Sequence, residues 1–449
     1  MFRRSTLDRA ILSLSTAAIV IFALITALVV RPIADDYCYV VSVKDSGLWG
    51  FTIAQSQGWS GALLKNLLDS LFGSVYIFSF QLAYLAFFLV TLGLLTAVFT
   101  RALLAAIEMK AERKLDRFVT SGIAIAITYV LAGFGVPATL ASSQFAFGYA
   151  NFTWAASVVS QFIPILAFIL LSTLLISPST QLVSRRTRAL LLIGSILVPL
   201  LSLQAGVSWL LLLLYFLLFH RGCSIRLERR LILSAAGITF MVLLANTLSP
   251  GSRSRKSLAG GLDIVSTTAG LRTSLLQSVN TIVSGLTLVS LACGFAIAVI
   301  LAKRLKVNSR VLRDFLALTV CVFIATAATD ALGAYEPWHQ IGLRLAVFML
   351  GVLIGAKAGA AWADQTSVRF FQSSSYRNRT IVLIIGIWTI LLVVQAALVG
   401  SIFVERSQAW DAGRAFSIEW IGDRDVDWIR SCAERSAFAS WKVSLNRES

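Results

Sequence analysis

ALLLIGSILVPLLSLQAGVSWLLLLLYFLLF, residues 189–219, contains no charged side chain. It divides into two apolar legs, 189–203 and 205–219. Each leg is shorter than the roughly 20 residues that carry a helix across a bilayer. The stretch predicts a helical hairpin turning at Gln204-Ala205-Gly206. Such a pair, whether or not its legs cross fully, leaves the parity of the flanking spans unchanged.

Apolar runs recur on both sides of this stretch, at roughly 10–30, 71–100, 118–138, 157–177, 231–248, 279–302, 314–332, 341–361 and 380–402. With the two legs they make about eleven spans. The chain of 449 residues is 57% hydrophobic and 14% charged, against about 25% charged in a soluble domain. The runs are continuous rather than alternating, which argues against a membrane barrel. The fold class is therefore all-α and polytopic. The first run is longer than a signal-peptide core and lacks an Ala-x-Ala exit, so it reads as an uncleaved span.

The net charge of +17 does not mark a nucleic-acid binder, because the cations gather in short loops between apolar runs. With the N-terminus inside, the inner loops hold 24 Lys and Arg and the outer loops 7. Positive residues favour the inner side, so this orientation is expected and the C-terminal tail lies outside. Two parts follow: a membrane domain, 1–402, and a small outer segment, 403–449, that packs on it.

The unusual sequence falls on the predicted outer face. The first outer loop, 31–70, carries Asp35-Asp36 just after Pro32 and ends in the amphipathic GWSGALLKNLLDSLFG, 58–73. That pattern predicts a helix lying on the membrane surface. SSQFAFGYANFTW (142–154), NTLSPGSRSRKSLAGGLD (246–263) and DALGAYEPWHQ (330–340) follow. The inner loops are short and basic and carry no comparable chemistry.

Asp35 and Asp36 fit a general base or a divalent-metal ligand at the lipid–water boundary, or equally a solvated helix cap. Arg253, Arg255 and Lys256 follow a Pro-Gly turn, where backbone N–H groups and cations can grip a phosphate or anionic headgroups in general. His339 has Asp330 and Glu336 near it in sequence, an acid–base arrangement or a solvated histidine. Arg344 lies about a turn into the tenth span, where an unpaired charge is costly, so it should meet an outer acid or a substrate phosphate. Trp59, Tyr149 and Trp154 belong to an interfacial aromatic belt or stack on a sugar, with Asn151 placed to bind a hydroxyl. Of the five cysteines, only Cys38 and Cys432 fall outside, where an oxidising compartment permits a disulfide between them.

ADDYCY (34–39), GWSG (58–61), FGYANFTW (147–154), SPGSRSR (249–255) and the closing WIGDRDVDWI (420–429) resemble, in order, a family of bacterial proteins of the GT-C glycosyltransferase type. Ser252 stands where that family's Pro-Gly-Asn-x-x-Arg segment has its asparagine. The resemblance implies an enzyme of the bacterial cytoplasmic membrane with its active site on the outer face. It would move a sugar from a polyprenyl-phosphate donor to a glycan, lipid or cell-wall acceptor, with membrane lipids around it. Asp35 or Asp36 would act as base or hold a divalent metal, Asp35 being favoured because the first acid of such pairs often serves as base. Arg253, Arg255 or Arg344 would neutralise the leaving phosphate.

Three other readings compete. A transporter or flippase of lipid-linked saccharides predicts internal repeats and mid-span charges, neither of which is evident. A polymerase or ligase shares the donor chemistry. A non-catalytic membrane subunit would not depend on the aspartates.

Overall fold

The computed structural model describes residues 35–58, 60–79, 162–176, 185–219, 226–258, 264–301, 307–332 and 339–365, with parts of 82–98 and Val159. The expected spans at 10–30, 118–138 and 380–402, and the tail 403–449, lie outside these residues. Every regular element described is a helix: α1 (Asp35–Gly58), α2 (Leu63–Phe78), α3 (Ile163–Ile176), α4 (Arg185–Leu201), α5 (Leu203–Phe219), α6 (Arg226–Leu248), α7 (Pro250–Leu258), α8 (Ile264–Ile282), α9 (Gly285–Leu301), α10 (Ser309–Leu332) and α11 (Gln340–Gln365). Among the described residues, four stretches are long and apolar enough to cross a membrane: Arg229–Leu248, Thr268–Ala296, Ser309–Ala331 and Gln340–Trp362. Helices suit these sequences because lipid offers backbone groups no partners, so each segment must bond to itself. This is an all-α membrane protein.

The hairpin at 189–219 is present. Trp209 on α5 donates its indole N–H to Ser195 Oγ on α4 at 3.0 Å. On one straight helix those residues would be about 21 Å apart along the axis. The chain reverses at Ser202, two residues before the turn expected at Gln204-Ala205-Gly206. Pro199 explains the earlier turn. Its missing N–H leaves the Ser195 carbonyl without a helical donor, and Thr239 Oγ1 on α6 donates to that carbonyl at 3.3 Å. The Pro199 carbonyl accepts from Asn246 Nδ2 at 3.0 Å, and α4 ends two residues on.

The eighth span also starts earlier than expected. Residues 264–278 were expected in the outer loop, because Ser, Thr and Arg272 interrupt the apolar pattern. They form α8 instead, with Ser274 and Ser278 buried against α10 and α11. Small hydroxyl side chains suit a buried helix face in lipid because they let neighbouring backbones approach closely.

The closest approach is between α9 and α11. Gly351, Gly355 and Gly359 recur every four residues on one face of α11. A Cβ on Gly351 would overlap Ser290 Oγ, and one on Gly355 the Leu291 carbonyl oxygen. From the other side, a Cβ on Gly294 would overlap the Val352 carbonyl. This is the small-xxx-small packing of membrane helices, in which dispersion between backbones replaces the hydrophobic drive that lipid cannot supply.

Among the described residues of the expected first outer loop, helix predominates. Gly47, at φ 72°, breaks α1, a conformation that costs residues with a Cβ but not glycine. The rings of Tyr39 and Phe51 meet across the break at 5.6 Å, where a straight helix would hold them about 18 Å apart. The amphipathic stretch forms α2 and packs on α1: Ser70 Oγ donates to the Leu48 carbonyl at 2.7 Å.

Candidate functional site

The hairpin tip, 199–204, touches three of the regions singled out from the sequence. Leu201 packs beside Leu64 and Leu68 of α2. Pro199 holds Asn246, the last buried polar residue before the SPGS turn. Gln204 Nε2 donates to Thr326 Oγ1 at 2.6 Å and to the His339 carbonyl at 2.7 Å. The cations that open three of the helices lie at the other end of the bundle. Arg185, Arg186 and Arg188 open α4, Arg229 and Arg230 lie near the start of α6, and Arg310 and Arg313 near that of α10. Each of these helices runs from its opening cations toward the tip, so these cations and the motifs lie at opposite ends.

GWSG and SPGS, 191 residues apart, interlock. Ser249 opens α7 as an N-cap: its Oγ accepts the Ser252 N–H at 3.3 Å, with Pro250 at the first helical position. Ser252 Oγ donates to the Asn246 carbonyl at 2.8 Å and accepts the Gly61 N–H at 3.3 Å. Ser252, at the position where the resemblance led to an expected asparagine, thus bridges the two segments. A Cβ on Gly61 would overlap Ser249 Oγ and the Asn246 carbonyl, and one on Gly251 would crowd the Ser56 carbonyl and the Ser60 nitrogen. Only backbone fits on either side of this contact.

A charged cluster lies beside the lock. Asn66 Nδ2 bonds Ser56 Oγ at 3.0 Å and the Ser60 carbonyl at 2.8 Å. One residue earlier, Lys65 Nζ donates to Asp69 Oδ2 at 2.7 Å and stands 5.9 Å from the Tyr39 ring centroid, within cation–π range. Burial pushes the Asp69 carboxyl above its ordinary range, and the Lys65 charge opposes that rise. Tyr39 is one helical turn after Asp35. Lys65, Asn66 and Asp69 were not singled out from sequence. Their spacing in LLKNLLDS was the available signal, since i and i+4 share a helix face.

The other expected residues divide as follows. Asp35 and Asp36 open α1; their side chains lie outside the described part, as do those of Arg255 and Lys256 on α7. Arg253 is exposed on α7 and Arg344 half-buried on α11, one turn past Gln340. Trp59, Tyr149, Asn151, Trp154, Glu336 and Cys432 lie outside the described residues. Among the described residues no three His, Cys, Asp or Glu gather as a metal site.

Cys38 is buried and disulfide-bonded, whereas Cys293 and Cys321 are free. Its partner is therefore the expected Cys432 or else Cys223, both outside the described residues. Unfolding without reductant should expose three free thiols of the five, five less one bonded pair. A titration returning five would remove the disulfide.

His339 is not the solvated histidine its sequence position allowed. Its Nδ1 lies 2.5 Å from Asp330 Oδ1, with side-chain exposures of 11% and 0%. Among the described residues, Asp330 Oδ2, Ser274 Oγ and Gln340 Nε2 are buried polar atoms with no hydrogen-bond partner. Leaving such an atom unpaired costs roughly 1–3 kcal/mol.

Comparison with known protein families, with curated proteins and with solved structures finds no match to this chain.

Proposed function

We propose that this protein is an integral membrane glycosyltransferase of the GT-C type. It has about eleven spans, its N-terminus inside, and its motif-bearing end at the outer face of the bacterial cytoplasmic membrane, with α1 and α2 as the surface helices of the first outer loop. The sugar moves from a polyprenyl-phosphate donor to an outer-face glycan, lipid or cell-wall acceptor. Asp35 or Asp36 deprotonates the acceptor hydroxyl or holds it through a divalent metal. As the new glycosidic bond forms, the bond from C1 to the phosphate oxygen breaks. The polyprenyl phosphate leaves with its charge neutralised by Arg253, Arg255, Lys256 or Arg344.

The observation that carries this reading is the lock between GWSG and SPGS at the hairpin tip. Two segments matched by resemblance, and far apart in the chain, meet at one end of the bundle, and the cations of α4, α6 and α10 begin at the other. Positive residues favour the inner side, which supports reading the lock as the outer end.

Asp35→Asn and Asp36→Asn, singly and together, test it. A general base contributes about 100-fold or more to rate. Envelope glycan composition should lose the sugar in at least one single variant and in the double, while membrane insertion stays normal. Full transfer by all three variants would sink the catalytic claim.

A further inference from the structure

The arginines that open α4 and α6 are brought to one height. These helices run side by side in the same direction. Two hydrogen bonds set their register: Thr239 Oγ1 donates to the Ser195 carbonyl at 3.3 Å, and Asn246 Nδ2 to the Pro199 carbonyl at 3.0 Å. Arg185 precedes Ser195 by ten residues, and Arg229 precedes Thr239 by ten. Both therefore lie about 15 Å back from the same contact. Leu191 and Ala235 share a height between, and both are buried, so the packing persists to within two turns of the arginines. Packed helix axes stand about 8–10 Å apart. Arg185, Arg186 and Arg188 on α4 and Arg229 and Arg230 on α6 thus gather at one rim, all exposed except the half-buried Arg188.

Three features set this rim apart from the ordinary excess of inner-side cations. Its arginines have no protein partner: among the described residues, none of the five makes an ion pair or a side-chain hydrogen bond. Other cations at this end do, since Arg313 meets Asp314 at 3.3 Å and Lys357 donates to Ser309 at 2.9 Å. The rim is also built of one residue type. Across α4 and α6 stand six arginines, no lysine and one acid, Glu228. Lysine serves the inner-side bias equally well, whereas arginine presents a fork that matches phosphate oxygens. Lastly, the arginines head exposed apolar faces, with Leu190, Ile193 and Leu197 on α4 and Leu233, Met241 and Leu244 on α6. A nucleic acid or an acidic protein would leave those faces uncovered. A phosphate joined to acyl chains covers both parts.

We propose that the paired starts of α4 and α6 bind a phospholipid with two phosphates, of the diphosphatidylglycerol class. The arginine forks of the two helices grip its phosphates, and its acyl chains lie along the exposed apolar faces beyond them. One diester phosphate carries a single charge and would leave most of the five arginines unmatched. Two phosphates on a short linker engage both helix starts at once. Basic pockets between membrane helices suit such headgroups. The lipid ties α4 to α6 at the end opposite the lock, whatever reaction the lock end performs.

The test uses the full-length protein in detergent, with bound lipid read by mass spectrometry of the intact complex. The probes are diphosphatidylglycerol, phosphatidylglycerol and phosphatidylcholine. Diphosphatidylglycerol should bind at least tenfold more tightly than phosphatidylglycerol, and phosphatidylcholine should not compete. Combining Arg185→Gln, Arg186→Gln, Arg229→Gln and Arg230→Gln should weaken diphosphatidylglycerol tenfold or more. The same four positions changed to lysine keep the charge, and with it membrane insertion, but should lose the preference for two phosphates. Without added lipid the lysine variant should unfold at the wild-type temperature, because no protein bond is lost. That result separates a binding role from a structural one. If the glutamine variant fails to insert, the lysine variant decides alone. Equal binding of the two anionic lipids to the wild type, or an unchanged preference in the lysine variant, overturns the proposal. A short DNA duplex that binds through these arginines while neither lipid does would overturn it in favour of a nucleic-acid surface.

Discussion

Replacing Gly355 by leucine should leave the protein unable to assemble its bundle. The Cβ alone would overlap the carbonyl oxygen of Leu291 and come within 3.0 Å of its α-carbon. These are backbone atoms of α9, so no side-chain rotation relieves the clash. Ordinary overpacking, where side chains can shift, costs about 1–3 kcal/mol. Here the helices must separate, and each glycine of the facing stripe loses its contact as they do. The loss is expected to reach about 5 kcal/mol, the upper end for single substitutions. Gly237 supplies the control. It lies on α6 with nothing within 4 Å of its would-be Cβ, so Gly237→Leu should change stability by no more than about 0.5 kcal/mol. Gly355→Ala should fall between the two. The measurement is the yield of monodisperse protein after extraction, with the unfolding temperature of whatever survives. If Gly355→Leu behaves like Gly237→Leu, the backbone contact between α9 and α11 is wrong.

What was legible from the sequence follows from what hydropathy encodes. Continuous apolar runs report helices in lipid, and they found α6, α10 and α11 as well as both legs of the hairpin. Hydropathy is weaker at helix ends. Gln204 looked like a turn residue because it is polar. It is a buried cross-link, and the reversal at Ser202 is set by Pro199, whose effect runs through carbonyls that only tertiary neighbours reveal. Residues 264–278 looked like loop for the same reason, since a hydroxyl pointing into a helix seam and one pointing into water are written with the same letter. The Asp330–His339 pair joins the last turn of α10 to the residue just before α11, a contact that no sequence pattern encodes. Nine residues of separation say only that contact is possible. The glycines of α11 were visible at spacing four, though their partner on α9 was not. Segments as distant as GWSG and SPGS can be named from one sequence, but no periodicity pairs them.

That pairing gives the second large effect. Gly251→Val should unlock α1 and the GWSG segment from α7 while the bundle itself stays folded. The valine Cβ would stand 2.5 Å from the Ser56 carbonyl oxygen and 2.8 Å from the Ser60 nitrogen, again backbone that cannot rotate away. Unlike Gly355, however, Gly251 sits on a short, nine-residue helix. The strain can be relieved by α7 moving off α1, which would break the Gly61 bond to Ser252 and expose Asn66. A relief of that kind costs about 1–3 kcal/mol, and it leaves the α9–α11 contact and the Trp209–Ser195 bond untouched. Two measurements should therefore separate. The unfolding temperature of the bundle should change little, while amide exchange across 56–62 and 246–258 should rise sharply. Under the glycosyltransferase reading, transfer should fall by about 100-fold or more, because reacting groups that depend on two segments lose their mutual placement. Ser252→Ala calibrates the result: it removes the bridge without the clash and should cost only about 1 kcal/mol, with a partial loss of transfer. If Gly251→Val leaves exchange and transfer both unchanged, the two motifs do not meet as described, and the chief support for placing the active site at the hairpin tip is gone.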